Sequence, residues 1–190
     1  AIETIFPEDQ VVITYSLGNA YFRAVQTPIE FQPIEGSLIE SLHTFPTYYK
    51  HQVGNHIFGI KFKLGGLACF SEVSFKNFNN TNIGISQYLG KDSNSLLLNL
   101  KSKNTFEERI TIFESFITPL ILSNRVKKWE RLQQFVQLLE TEKEINAALY
   151  KSITRTFIDL TGITPKDYLQ IKRINQSLAY FAQNKSSKNQ

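Results

Sequence analysis

Methionine is absent from all 190 residues, and cysteine occurs once, at Cys69. A chain without even an initiator methionine reads as a fragment, or as one from which residues have been lost. A single cysteine excludes an intramolecular disulfide framework and fits a reducing, cytoplasmic setting. No apolar run reaches the roughly 18 residues that a membrane-spanning helix needs, so no membrane partner is expected. The opening Ala1-Ile2-Glu3-Thr4 has neither the basic nor the apolar region of a signal peptide. No internal repeat at solenoid period occurs. Gly65-Gly66 lacks the further glycines and the lysine of a phosphate loop, and neither a nucleophile elbow nor a paired-carboxylate motif is present. No catalytic residue, metal site or cofactor is therefore expected, and the chain is read as a non-enzyme.

What the chain does have is unevenly placed. Residues 1–120 carry 9 Lys and Arg against 11 Asp and Glu, net −2, whereas residues 121–190 carry 12 against 6, net +6. A neutral front and a basic back point to a polyanionic partner for the back, against the plain alternative of a solvated basic surface.

The front reads as β structure. Gln10–Leu17 is rich in Val, Ile, Thr and Tyr and is closed by Gly18-Asn19, so a hairpin with Ala20–Thr27 is expected. Pro28 and Pro33 mark Ile29–Ile39 as edge strand. Tyr48–Val53 and Ile57–Leu64 follow. In the latter, Ile60, Phe62 and Leu64 alternate with Lys61 and Lys63. About five short strands separated by turn signals predict a small β-barrel or half-barrel. Leu67–Phe70 suits a single helical turn, and Asn77–Asn82 suits a loop. Ser95–Lys101 and Phe106–Leu122 have helical spacing. With a boundary near Leu122–Lys128, the expected fold class is α+β: a β-rich domain with trailing helices over residues 1–122, then an all-helical domain over residues 123–190.

Four helices are expected in the second part: Val126–Glu140, Glu142–Leu149, Lys151–Leu160 and Ile163–Ala182. In the third, Ile153, Phe157 and Leu160 share a buried face, leaving Lys151, Ser152, Thr154 and Arg155 outward. Arg and Lys can donate to guanine or phosphate, and Thr can meet a thymine methyl. Gly162 stands where a helix C-cap takes positive φ. Thr164, Pro165 and Asp167 then have the spacing of an N-cap, N1 and capping box. Lys172-Arg173 add positive charge to the helix that follows.

The run Lys151–Leu178 (KSITRTFIDLTGITPKDYLQIKRINQSL) resembles the first helix-turn-helix and following linker helix of AraC/XylS transcription regulators. Lys151, Ile153, Arg155, Phe157, Gly162, Thr164, Pro165, Tyr168, Arg173 and Ile174 match that pattern in type and spacing. More loosely, VITYSLG (Val12–Gly18) and FGIKFKLGGLACF (Phe58–Phe70) are similar to a cupin-like sensor domain that precedes the DNA-binding part in many such regulators. The resemblance implies a major-groove reader helix and a partner of double-stranded DNA. It implies contacts from Lys151, Ser152, Thr154, Arg155, Lys172 and Arg173. It also implies a small-molecule effector or protein partner sensed by the β-domain, and a homodimer.

Two departures stand out. The Leu-Gly-x-Ser-like turn before the reader helix is missing: Ala147-Ala148-Leu149 runs straight into Tyr150-Lys151, about three residues short, so a break between Leu149 and Tyr150 is expected. The second helix-turn-helix unit of the family does not follow within the chain. The rival from another class is a cupin-like metal-dependent enzyme using His43, His51 and His56 with Glu35 or Glu40; their spacing follows no metal motif. A third reading is an effector-binding module without DNA binding. Cys69 reads as a buried, inert thiol. Tyr15, Phe22, Tyr48, Tyr49 and Phe62 are candidates to line an apolar effector pocket.

Overall fold

In the computed structural model, residues 2–25, 30–90, 93–141 and 147–186 are described. The most buried strand is β2 (Val11–Ser16), whose β-branched run suits a pleated surface covered on both sides. It pairs antiparallel with β5 (Ser37–Glu40) on one side and β7 (Ile57–Phe62) on the other, and β8 (Asn82–Gly84) extends the sheet beyond β5. A second antiparallel sheet has the order β1 (Ile2–Ile5), β6 (Thr47–Lys50), β3 (Tyr21–Ala24), β4 (Gln32–Ile34).

The molecule is therefore α+β with two separate four-stranded sheets, and it is not a closed barrel. Closure is blocked where β4 ends its sheet: it is three residues long and centred on Pro33, which has no N–H to continue a ladder. The expected hairpin does not form either, because β2 and β3 lie in different sheets. At Gly18 a Cβ would stand 2.3 Å from the Gly54 carbonyl oxygen, so this turn packs against the 54–56 loop instead of closing a tight hairpin. Of the expected edge segment Ile29–Ile39, β4 is an edge and β5 is interior; Gln26–Ile29 lie outside the described residues.

The period of two in β2 separates two chemistries. Val11, Ile13 and Tyr15 face the helices, opposite Phe62, Ile60 and Phe58 of β7. Val12 and Thr14 face the other sheet, and Glu40 and Lys61, the cross-strand partners of Val12, lie on that face with them. The layers run sheet, sheet, helices.

The helical layer holds α1 (Ile85–Leu89), α2 (Ser93–Lys101), α3 (Phe106–Ile117), α4 (Ser123–Glu140), α5 (Ala147–Thr161) and α6 (Pro165–Ser186). Thr105 and Glu108 form a reciprocal capping box at the start of α3. α4 packs on the 3-10 turn Gly66–Phe70 and α5 on the 3-10 turn Phe75–Asn77. One apolar core runs unbroken from Ile13 and Phe58 through Leu132 and Phe135 to Phe157, Tyr168 and Ile171, so packing crosses residue 122 continuously. None of the described helices is long and apolar enough to cross a membrane.

Candidate functional site

Two places gather the polar and charged residues of interest: the outer face of α5 with the start of α6, and the gap between the two sheets.

On α5, Phe157 and Leu160 are fully buried while Lys151, Ser152 and Arg155 are exposed and Thr154 is half-buried. The inner face is set by rings: Phe135 of α4 meets Tyr150 and Phe157 edge-on at 5.9 and 6.3 Å, and Phe157 meets Tyr168 of α6 at 5.9 Å. Those contacts aim the opposite face at solvent. α5 ends at Gly162, whose φ of 80° is the left-handed conformation a C-cap requires. Thr164 Oγ1 accepts from the Asp167 amide at 3.1 Å, and the Thr164 amide donates to the Asp167 carboxylate at 3.0 Å, which is the capping box read from the sequence.

Other expectations are revised. α5 runs unbroken through Leu149 and Tyr150, and Thr154 Oγ1 donates to the Tyr150 carbonyl at 2.7 Å within it. There is no break at that junction, and the division expected between helices at Leu149 and Lys151 is absent, since Ala147–Thr161 is one helix; Glu142–Asn146 lie outside the described residues. Arg173 is exposed. Lys172 is engaged: its ammonium lies 3.1 Å from Glu140 and 3.7 Å from Asp9, so it ties α6 to α4 and to the loop before β2. Burial works to lower its pKa, but the two carboxylates outweigh burial and hold it above the ordinary value. Glu140 also accepts from the buried Tyr168 hydroxyl at 2.5 Å, which with Lys172 holds its carboxyl below the ordinary range.

Between the sheets lies a buried polar network. Arg23, alone among the apolar residues of β3, is 5% exposed. Its Nε donates to the Tyr49 hydroxyl at 3.0 Å, its Nη2 approaches His43 Nε2 at 2.5 Å, and Glu40 stands 3.7 Å away. The Tyr49 hydroxyl donates to Glu40 through a short bond. Thr14 bonds the Tyr21 hydroxyl at 3.3 Å. Since a guanidinium only donates, His43 Nε2 accepts and the proton sits on Nδ1, which has no partner among the described residues. Burial, then the charge of Arg23, pushes the His43 pKa from the ordinary 6.5 down to about 3. Burial and Glu40 push Tyr21 up to about 12. Two adjoining clefts, of about 210 and 50 Å³, share Glu40 and Tyr49 as a common wall, with Tyr21, Thr14 and His51 on the larger side and His43 on the smaller.

This arrangement has a pH signature. The folded pKa of His43 lies below its unfolded value, so the unfolded chain binds the extra proton between pH 6.5 and about 3. The stabilisation is fully present above pH 6.5 and is lost as pH falls through that window, at a slope of up to about 1.4 kcal/mol per pH unit. Urea unfolding at pH 7, 5.5 and 4.5 should show a steeper loss for the wild type than for His43→Gln, which keeps an acceptor for Arg23 and cannot titrate. Parallel losses would remove His43 as the cause.

The three histidines do not converge. His43 is held by Arg23, His51 by Glu3 and Asn55, and His56 lies beside Arg109. Among the described residues no three His, Cys, Asp or Glu side chains come together as metal ligands. The expected aromatic pocket is dispersed as well. Tyr15 is packed in the helix-side core, Phe22 and Tyr48 are half-buried elsewhere on their sheet, Tyr49 lines the cleft between sheets, and Phe62 lines a separate groove against α4. Cys69 is a buried free thiol. Arg23, the centre of the polar network, went unread in the sequence; a lone charge inside an otherwise apolar strand was the available signal.

Comparison of the chain with family models, with curated proteins and with solved structures finds no match in any of the three.

Proposed function

We propose that the chain is a DNA-binding transcription regulator of AraC type, with α5 as its major-groove reader and the two-sheet module as its small-molecule sensor. The observation that carries this reading is the presentation of Lys151, Ser152 and Arg155 on the solvent face of a helix. That helix is braced from behind by Phe157 and Leu160 and ends in the Gly162–Asp167 turn. A rigid helix with a basic outer face and a fixed exit angle is what groove entry needs. Arg155 suits a base edge and Lys151 a phosphate, with Ser152 and Thr154 beside them and Arg173 extending the positive surface onto α6. Lys172 supports the reader through Glu140 and Asp9. On the sensor side, the clefts walled by Glu40, Tyr49, Tyr21 and His43 offer donors and acceptors to a small polar effector.

Gel-shift titration of the chain on the DNA upstream of its own coding region, at two salt concentrations, tests the reading. Sequence-selective binding that weakens with salt is expected. The Lys151→Ala/Arg155→Ala pair should cost about tenfold or more in affinity at the lower salt. Binding that ignores both salt and the double substitution overturns it.

A second reading, an effector-binding module that does not bind DNA, draws on α5 itself. It is one helix from Ala147 to Thr161, with no tight turn just ahead of Lys151. Effector binding with no salt-dependent DNA affinity would favour it.

A further inference from the structure

We propose that the groove between β7 and α4 binds a small carboxylic acid with an apolar body, the body lying against Trp129 and the carboxylate meeting Lys63. The groove holds about 330 Å³, within the lower range of small-molecule sites. It is separate from the clefts between the sheets, with which it shares only Lys61 at its rim, and it lies where β7 meets the helical layer.

Its walls are apolar and incompletely covered. Phe62 and Phe70 pack edge to face at 5.9 Å and, with Val126 and Trp129, remain half-buried. Ile121 is 48% exposed at the junction leading into α4. Side chains one layer deeper, such as Leu67, Leu132 and Phe135, are at most 1% exposed, so the core is closed and this groove lies outside it.

The polar groups of the walls select the head group. Trp129 Nε1 and Gln133 Nε2 both donate to the Leu64 carbonyl at 3.0 Å, so the indole offers its ring and not its N–H. Lys61, at one rim, is neutralised by Glu8 at 2.6 Å. Lys63 also lines the groove, and its ammonium makes no ion pair or side-chain hydrogen bond among the described residues. Burial pushes the Cys69 thiol above its ordinary pKa and keeps it neutral, with Arg125 and Glu130 acting on it in opposite senses, so no thiolate repels an incoming anion. An apolar trough with one free cation at its edge is complementary to an amphiphilic monocarboxylate. The groove is walled by the sheet and α4 together, so an occupant would bridge the two. The assignment does not depend on DNA binding, because its test reads occupancy directly.

Trp129 is the only tryptophan in the chain, so emission excited where indole but not tyrosine absorbs reports on this groove. Decanoate, kept below its micelle concentration, should shift that emission saturably with one site per chain, and 1-decanol should do so more weakly. Lys63→Gln, a change at an exposed side chain, should weaken decanoate by about fivefold while leaving decanol unchanged, which is the size expected of one exposed charge pair. Absence of a saturable shift overturns the site. An equal loss for both ligands, or none for either, overturns the role of Lys63 and the carboxylate assignment with it. Emission that changes with protein concentration alone, with a doubling of mass in sedimentation, would show a second copy covering the groove and would also overturn the proposal.

Discussion

Arg125→Met should lower the unfolding free energy by about 3 kcal/mol, the size expected from deleting charge-assisted hydrogen bonds and leaving their carbonyl acceptors unpaired. Arg125 is 2% exposed at the start of α4, and its guanidinium is shared among three residues. Nη1 donates to the Asp159 carboxylate of α5 at 2.5 Å, Nη2 donates to the Glu72 and Val73 carbonyls at 2.8 and 3.3 Å, and Nε lies 3.5 Å from the Glu72 carboxylate. Methionine replaces the stem and deletes every donor, stranding two backbone carbonyls beside an apolar side chain. Asp159 and Glu72 are themselves part-exposed, so their desolvation is a minor part of the loss. Asp159→Asn keeps an oxygen acceptor for Nη1 and leaves the Glu72 carboxylate beside Nε, so it should cost much less, about 1 kcal/mol. Urea unfolding of the two variants against the wild type checks the ranking. Equal losses would mean that the ion pair, not the carbonyl contacts, carries the stability.

Gly162→Ala should cost about 2–4 kcal/mol, by two separable routes. A φ of 80° is unfavourable for any residue with a Cβ, by about 1–2 kcal/mol. A Cβ there would also lie 2.8 Å from the Phe75 carbonyl oxygen, which is backbone of the 3-10 turn beneath α5 and has little room to yield. The melting temperature should fall by roughly 5–12 °C for a chain of this size. Gly36→Ala is the comparison: its φ of 78° nearly equals that of Gly162, and the nearest atom to an added Cβ is Leu97 Cδ2 at 3.8 Å, an ordinary contact. If both substitutions cost the same, conformational strain accounts for the whole effect and the contact with Phe75 contributes nothing. A larger loss at Gly162 ties the α5–α6 turn to the β-side of the molecule. The same turn fixes the direction of α6 relative to α5, so Gly162→Ala should also weaken any DNA binding that Lys151 and Arg155 support.

Legibility in the sequence followed the range of the interaction. The Thr164–Asp167 capping box, the left-handed Gly162, the burial of Phe157 and Leu160, and the alternation of Ile60 and Phe62 with Lys61 were all readable, while Ile153, expected on the same buried face, is half-buried. Each depends on residues within one or two turns of each other. Strand pairing was not readable. The Gly18-Asn19 signal marks a turn correctly, yet nothing local says that the chain there leans on Gly54 and sends β3 to the other sheet. β8 and α1 were missed because three- and five-residue elements have too few positions to show a period. At the candidate sites, the exposure of Lys151 and Arg155 followed from helical spacing. The engagement of Lys172 by Asp9, 163 positions earlier in the chain, could not.

Local chemistry along this chain determines the turn at Gly18, the cap and restart at Gly162–Asp167, which faces of the longer elements are apolar, and that positive charge gathers in residues 121–190, because caps, turns and periodicity act over a few residues. Packing determines the rest. It sets the split into two open sheets, the placement of Arg23 among His43, Tyr49 and Glu40, the reach of Arg125 across to Asp159, and the groove that leaves Trp129 half-covered. Burying a charge or leaving a gap depends on which distant surfaces meet, and that is a property of the assembled layers.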